Sequence, residues 1–196
     1  MLKILKWTGI VVVGAYVALV IYRMFVLNAE DKTAEQVKRI HATRLTIQDV
    51  MGEHLPPEPP APDATVQGVD ANANGIRDDV ELAIFKEYPD SAKTRAVLLQ
   101  YALALQMEMA QSIVNSGIVG AVAEQKSRGY LCVGELTSRS DMRKFIEVGN
   151  KLHSFVESRQ LNTDLRRKAR EAFYKSLQSG EVPNDYCDLD LAALPN

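Results

Sequence analysis

Histidine, cysteine and aromatic residues are scarce in this chain, and each scarcity removes a class of chemistry. The three histidines, His41, His54 and His153, are scattered, so no zinc signature forms and a nucleophile–base pair has few candidates. Two cysteines exclude a disulfide-dense scaffold. An aromatic content of 7%, a net charge of -2 and the lack of a glycine-rich phosphate loop argue against a nucleic-acid partner. Only one long uncharged run occurs, at the N-terminus, which excludes a polytopic membrane protein. No polar–apolar alternation is long enough for a sheet.

That one run is informative. Lys3 and Lys6 precede sixteen uncharged residues, Trp7 to Tyr22, and Met24 to Leu27 resume the apolar character after Arg23. The run is short for a span, but Arg23 can snorkel to the headgroups, and Trp7 and Tyr22 sit where interfacial aromatics belong. Residues 1–27 therefore read as a transmembrane anchor. A cleaved signal peptide is the alternative, yet Ala29 with Leu27 three residues before the cut makes a poor cleavage site. A buried soluble helix is the third option. Gly14 and Ala18 make a small-xxx-small step of the kind that supports anchor dimerisation and is also common by chance.

Residues 28–65 read as stalk and linker. Ala34, Val37, Ile40 and Leu45 recur at helical spacing on a thin face. Most of the eight prolines then fall between Pro56 and Pro62, a polyproline-type spacer expected to hold the rest away from the bilayer. The folded part is expected from Val66, giving a helical domain over 66–196. Asp78 or Asp79 opens a short helix through Val80, Ile84 and Phe85. Ser91 caps a long one with Leu98, Tyr101, Ala102, Leu105, Met109 and Ile113 on one face, stopped by Gly117. Ile118 to Lys126 makes another, closed by Gly129. Ser140 caps a helix carrying Met142, Phe145, Ile146, Gly149, Leu152 and Val156. Asn162 caps a last one carrying Leu165, Ala169, Phe173 and Leu177, ended by Gly180. The fold class is all-α: an N-terminal transmembrane helix, a proline-rich linker and a small irregular helical bundle.

The sharpest motif opens that bundle. Asp70, Asn72, Asn74, Asp78 and Glu81 stand at positions 1, 3, 5, 9 and 12 of a twelve-residue stretch, with Gly75 at position 6. Calcium takes six to eight oxygens, and alternate residues of a tight loop can aim them inward. Asp70, Asn72 and Asn74 would each supply a side-chain oxygen and Ile76 its backbone carbonyl. Asp78 would act directly or through water, and Glu81 through both oxygens. The competing view is an Asn-Gly turn followed by acidic residues favouring a helix N-terminus. The stretch resembles an EF-hand loop and the single-loop variants of dockerin and thrombospondin type 3 modules. It departs from the EF-hand at position 8, where Arg77 replaces an aliphatic residue, and in lacking an entering helix. A lone structural clip therefore fits better than a paired sensor. The run Asn74 to Glu81, followed by Tyr88-Pro89-Asp90-Ser91, is similar to a group of Gram-negative envelope proteins in which a membrane segment precedes one such loop. That resemblance implies an envelope location and carries no activity.

Cys132 and Cys187 are expected to pair if the domain is exported, which favours a periplasmic location at the inner membrane; two reduced thiols in a cytosolic domain are the alternative. Cys132 with His153 as base is the one conceivable catalytic pair, and a disulfide would remove it. The run Arg166, Arg167, Lys168 and Arg170 reads as a solvated face or an anionic contact. Asp185, Asp188 and Asp190 fit no metal template well. The expected protein is membrane-anchored and not an enzyme. It would bind one structural Ca2+ and serve interaction or scaffolding with an unknown envelope protein. A calcium-responsive regulator is the alternative, and a cell-envelope enzyme the third.

Overall fold

The computed structural model describes residues 2–137, 140–178 and 185–195. Among them the chain is all helical, without strands. α1 (Leu2–Ala42) is one continuous helix; α2 (Ile47–Met51) and α3 (Asp78–Glu87) are short. α4 (Ala92–Ala110), α5 (Ser116–Cys132), α6 (Met142–Gln160) and α7 (Asp164–Tyr174) complete the set. Residues 6–42 form one helix long and apolar enough to cross a membrane, and no residue of its most apolar stretch is buried in the molecule. It is a possible membrane span or signal anchor.

α4 is the axle of the bundle. Its apolar residues are expected on one face, but nearly every residue from Ala92 to Met109 is buried, because α2, α3, α5, α6 and α7 all pack around it. A helix surrounded in this way buries its polar groups too, so each must find a partner. Ile113 lies beyond its end.

Capping departs from the expectations by one or a few residues. Ser91 caps α4 as expected, accepting from the Thr94 N–H. Asp141, not Ser140, caps α6, and Thr163, not Asn162, caps α7. Asn162 is instead occupied by Asp63 and Arg166. Gly117 does not stop α4, which already ends at Ala110; it lies in the first turn of α5, capped by Asn115. Gly129 does not close α5 either. It is buried inside that helix because α4 crosses there: a Cβ would stand 3.2 Å from the Tyr101 Cα. Gly180 lies outside the described residues. Met142, Ile146 and Leu165 are exposed, so the buried faces of α6 and α7 are narrower than their periodicity suggests.

The stalk and linker are packed. Ile40, Leu45 and Val50 belong to the core and Val37 lies against it, although Ala34 stays exposed. Gln36 donates to Gln111 Oε1 at 2.8 Å, and Asn115 to Thr33 Oγ1 at 3.0 Å, so the C-terminal end of α1 is fastened to the α4–α5 turn. Pro56 and Pro59 are buried. Arg166, fully buried, donates to the carbonyls of Pro62, Thr65 and Val66 and pairs with Asp63. The proline-rich segment is therefore not a free spacer. Its backbone carbonyls need donors, and one guanidinium supplies them.

Cys132 and Cys187 form the expected disulfide. Closing a separation of 55 residues limits the unfolded chain by about 4 kcal/mol in the chain-entropy model. It fastens the C-terminal segment, where Arg128 pairs with Asp188 at 2.6 Å and Arg44 with the same carboxylate at 2.9 Å.

Two measurements test this packing. Gly129→Ala should destabilise the fold by about 1–2 kcal/mol in denaturant unfolding, because overpacking against the α4 backbone outweighs the gain in helix propensity. His153 is buried between Tyr101 and Tyr130, with ring centroids 4.3 Å away on each side, and neither nitrogen finds a hydrogen bond. Burial therefore holds it neutral, its pKa pushed down to about 4. The unfolded chain takes up this proton near 6.5 and the folded one only near 4. Stability should be full above the first value and fall by up to about 3 kcal/mol as pH drops between the two. His153→Phe should remove that share of the acid sensitivity.

Candidate metal centre

The loop preceding α3 folds by using its own oxygens. Asp70 accepts from the backbone N–H groups of Asn74 and Gly75, at 3.2 and 2.9 Å. Asn74 Oδ1 accepts from the Ile76 N–H at 2.8 Å. These are the turns that Asx side chains form with backbone ahead of them. Gly75 has φ +84 and Ala73 φ 58. The Asp78 N–H reaches back to the Val69 carbonyl at 2.9 Å, closing the loop as α3 begins. Ile76, fully buried in the core, anchors it.

Four of the expected ligands converge. Glu81 Oε1 accepts from Asn74 Nδ2 at 3.0 Å, and Oε2 from Asn72 Nδ2 at 3.1 Å. Asp70 shares Asn74 with them through its backbone. Asp78 is tied in by the Ala71 N–H, at 2.9 and 3.2 Å to its two oxygens. Ile76 takes part through its backbone N–H and its buried side chain. Among the described residues no three His, Cys, Asp or Glu side chains are arranged as a ready-made ligand group. The set here depends on the two asparagines.

Its electrostatics are unusual for this molecule. Burial pushes the Glu81 carboxyl up to about 7, against the two amide hydrogen bonds, and the charges of Asp49 and Asp78 add to the rise. Burial likewise raises Asp70, with Asp78 contributing. Glu81 is 1% exposed and Asp78 fully buried. Among the described residues neither they nor Asp70 form an ion pair, whereas buried Glu108 pairs with Lys126 and Arg170, and Asp188 with Arg44 and Arg128. Arg77 is adjacent in sequence but turned away. Its guanidinium binds Asp79 at 2.5 Å and the carbonyls of Arg159 and Gln160 at the end of α6.

Carboxylates and amide carbonyls are the hard oxygen donors that calcium prefers, so the residues present fit the ion. In the arrangement seen, the amide N–H groups of Asn72 and Asn74 supply the positive ends beside Glu81. Holding a cation would require both amides to turn their oxygens inward. Compared with known protein families, curated proteins and solved structures, the chain has no match.

The other sequence candidates are dispersed. Cys132 is bonded to Cys187, so it offers His153 no thiol. Asp185 and Asp188 pair with Arg128, while Asp190 caps the turn Leu191–Ala193. The basic run splits: Arg166 holds the linker, Arg167 pairs with Asp164, and Arg170 binds Glu108. The clamping roles of Arg77 and Arg166 are absent from the sequence argument, since neither carries a local pattern beyond the nearby Asp79. Gly75 tests the loop directly. A Cβ there would approach Leu103 Cδ1 to 2.7 Å, at a backbone angle that L-residues avoid. Gly75→Ala should cost about 1–2 kcal/mol in calcium-free buffer, read as a shifted denaturation midpoint.

Proposed function

We propose that this is a membrane-anchored extracytoplasmic protein of structural or interaction role, in which one Ca2+ clips residues 70–81 to the start of α3. The proposed setting is a bacterial inner membrane with the domain in the periplasm, alongside an envelope protein partner. One observation carries the reading: buried Glu81 is held between the amides of Asn72 and Asn74, near Asp70 and Asp78, and among the described residues none of these three carboxylates forms an ion pair. Elsewhere in the fold, the buried carboxylates Glu108 and Asp188 each pair with two cations. A divalent ion would compensate that charge and replace the two amide N–H groups. The spacing, similar to EF-hand, dockerin and thrombospondin type 3 loops, supports the same ion. The disulfide and the apolar N-terminal helix fit an exported, anchored domain.

A calcium-responsive regulator is the second reading. Asn72 donates to the His54 carbonyl at 3.0 Å, and Gly75 faces Leu103 and Thr43. The loop thus touches the linker, α4 and the end of α1. A groove of about 420 Å³ opens there, lined by Asp70 and Gly75 with Arg39 and Thr43. A switch would loosen this junction without calcium, whereas a clip leaves the fold intact at every relevant concentration.

The test is calorimetric titration of calcium into the full chain in detergent micelles, after chelation. One site is expected, with affinity roughly between micromolar and millimolar. The Asp70→Ala, Glu81→Ala double variant should keep its helical circular dichroism and lose the heat. A folded wild-type chain that takes up no calcium at millimolar concentration would sink the proposal. Hydrogen exchange at Thr43 and His54, with and without calcium, separates clip from switch.

A further inference from the structure

Away from the loop, α5 and α7 flank an open cavity of about 570 Å³, within the usual size of small-molecule sites. Its walls are Ala123, Ser127, Tyr130 and Leu131 of α5 and Tyr174 of α7; Lys126 and Arg170 line it from either helix. Nothing in the calcium reading uses it.

The two cations are positioned from behind. Fully buried Glu108 accepts from Arg170 Nε at 2.9 Å and from the Tyr174 hydroxyl at 2.7 Å, with Lys126 Nζ at 3.5 Å. Glu157, held by the Tyr101 hydroxyl at 2.7 Å, approaches Lys126 and Arg170 only to 3.9 Å. Arg170 therefore spends Nε on Glu108, and its terminal nitrogens make no hydrogen bond among the described residues. The wall is fixed as well, since Tyr130 stacks on His153. A guanidinium and an ammonium held in place lose little freedom on meeting an anion.

We propose that this cavity binds a carboxylate-bearing amphiphile. The free edge of Arg170 and the Lys126 ammonium take the head, and Ala123, Tyr130 and Leu131 flank the apolar part. The planar fork of a guanidinium matches a carboxylate. Glu108, Glu157, Lys126 and Arg170 already balance to zero, so the cavity accepts one further negative charge more readily than two, which disfavours a phosphate dianion.

The experiment titrates 4-phenylbutanoate into the full chain in lipid nanodiscs by calorimetry, against its uncharged amide and against the matching alkyl phosphate. Ser127→Leu puts an isobutyl group into the cavity and narrows it, while removing only a hydrogen bond within α5, from Ser127 Oγ to the Ala123 carbonyl. The wild type should bind the carboxylate in preference to both comparators. Ser127→Leu, with unchanged circular dichroism, should abolish binding, and Arg170→Gln should weaken it by about tenfold or more. Equal binding of the amide, tighter binding of the phosphate, binding that survives in Ser127→Leu, or no binding at millimolar carboxylate would each overturn the assignment. If Arg170→Gln does not fold, Ser127→Leu and the amide decide alone.

Discussion

A helix buried on every side must bring partners for whatever polar groups it carries, and α4 carries Arg95, Gln100, Gln106 and Glu108. Each of them recruits a different part of the chain. Arg95 donates to the carbonyls of Val50, Tyr88 and Pro89, tying down α2 and the end of α3. Gln100 exchanges hydrogen bonds with Tyr186 and Asp188 of the C-terminal segment. Gln106 reaches Gln67, just after the linker, and Gln160 of α6. Glu108 gathers α5 and α7 through Lys126, Arg170 and Tyr174. Unmade, each such bond would leave a buried polar group at a cost of about 1–3 kcal/mol. The apolar surface of α4 drives collapse, and its polar groups choose which neighbours go where.

Irregular segments are held by the same logic with the roles reversed. Loops and linkers carry carbonyls that no ladder satisfies, and buried guanidiniums satisfy several at once. Arg166 does so for residues 62–66 and Arg77 for the end of α6. The loop at 70–81 breaks this pattern. It satisfies its own backbone through Asp70 and Asn74, and among the described residues Asp70, Asp78 and Glu81 form no ion pair, although Asp79 pairs with Arg77. That imbalance, beside the buried carboxylates of Glu108 and Asp188 that each pair with two cations, is the physical basis for proposing an ion site.

The same packing changes how an anchored domain would stand. α1 runs unbroken from its apolar part into residues that pack on the bundle, through Thr33, Gln36 and Ile40. The proline-rich segment folds back against α7 instead of spacing the domain from a membrane. In the proposed setting, orientation relative to the bilayer would follow from a rigid helix, and the candidate ion loop would lie against the end of that helix.

Much was legible from local pattern. Helical periodicity, Ser91 as a cap, the paired cysteines and the oxygen spacing around Gly75 are all properties of neighbouring residues or of counting, and they need no tertiary contact. Residue order alone is enough for an all-α chain with an apolar N-terminal helix, one cysteine pair and one acidic stretch with regular oxygen spacing. Tertiary structure alone decided that α4 is buried all round, that Gly129 serves a helix crossing instead of a helix end, and that residues 36–66 pack. It also decided that Glu81 lies buried with no ion pair among the described residues while Glu108 has two. These outcomes depend on groups brought together from distant positions, where burial makes each unpaired charge costly, and no local pattern records which partner arrives.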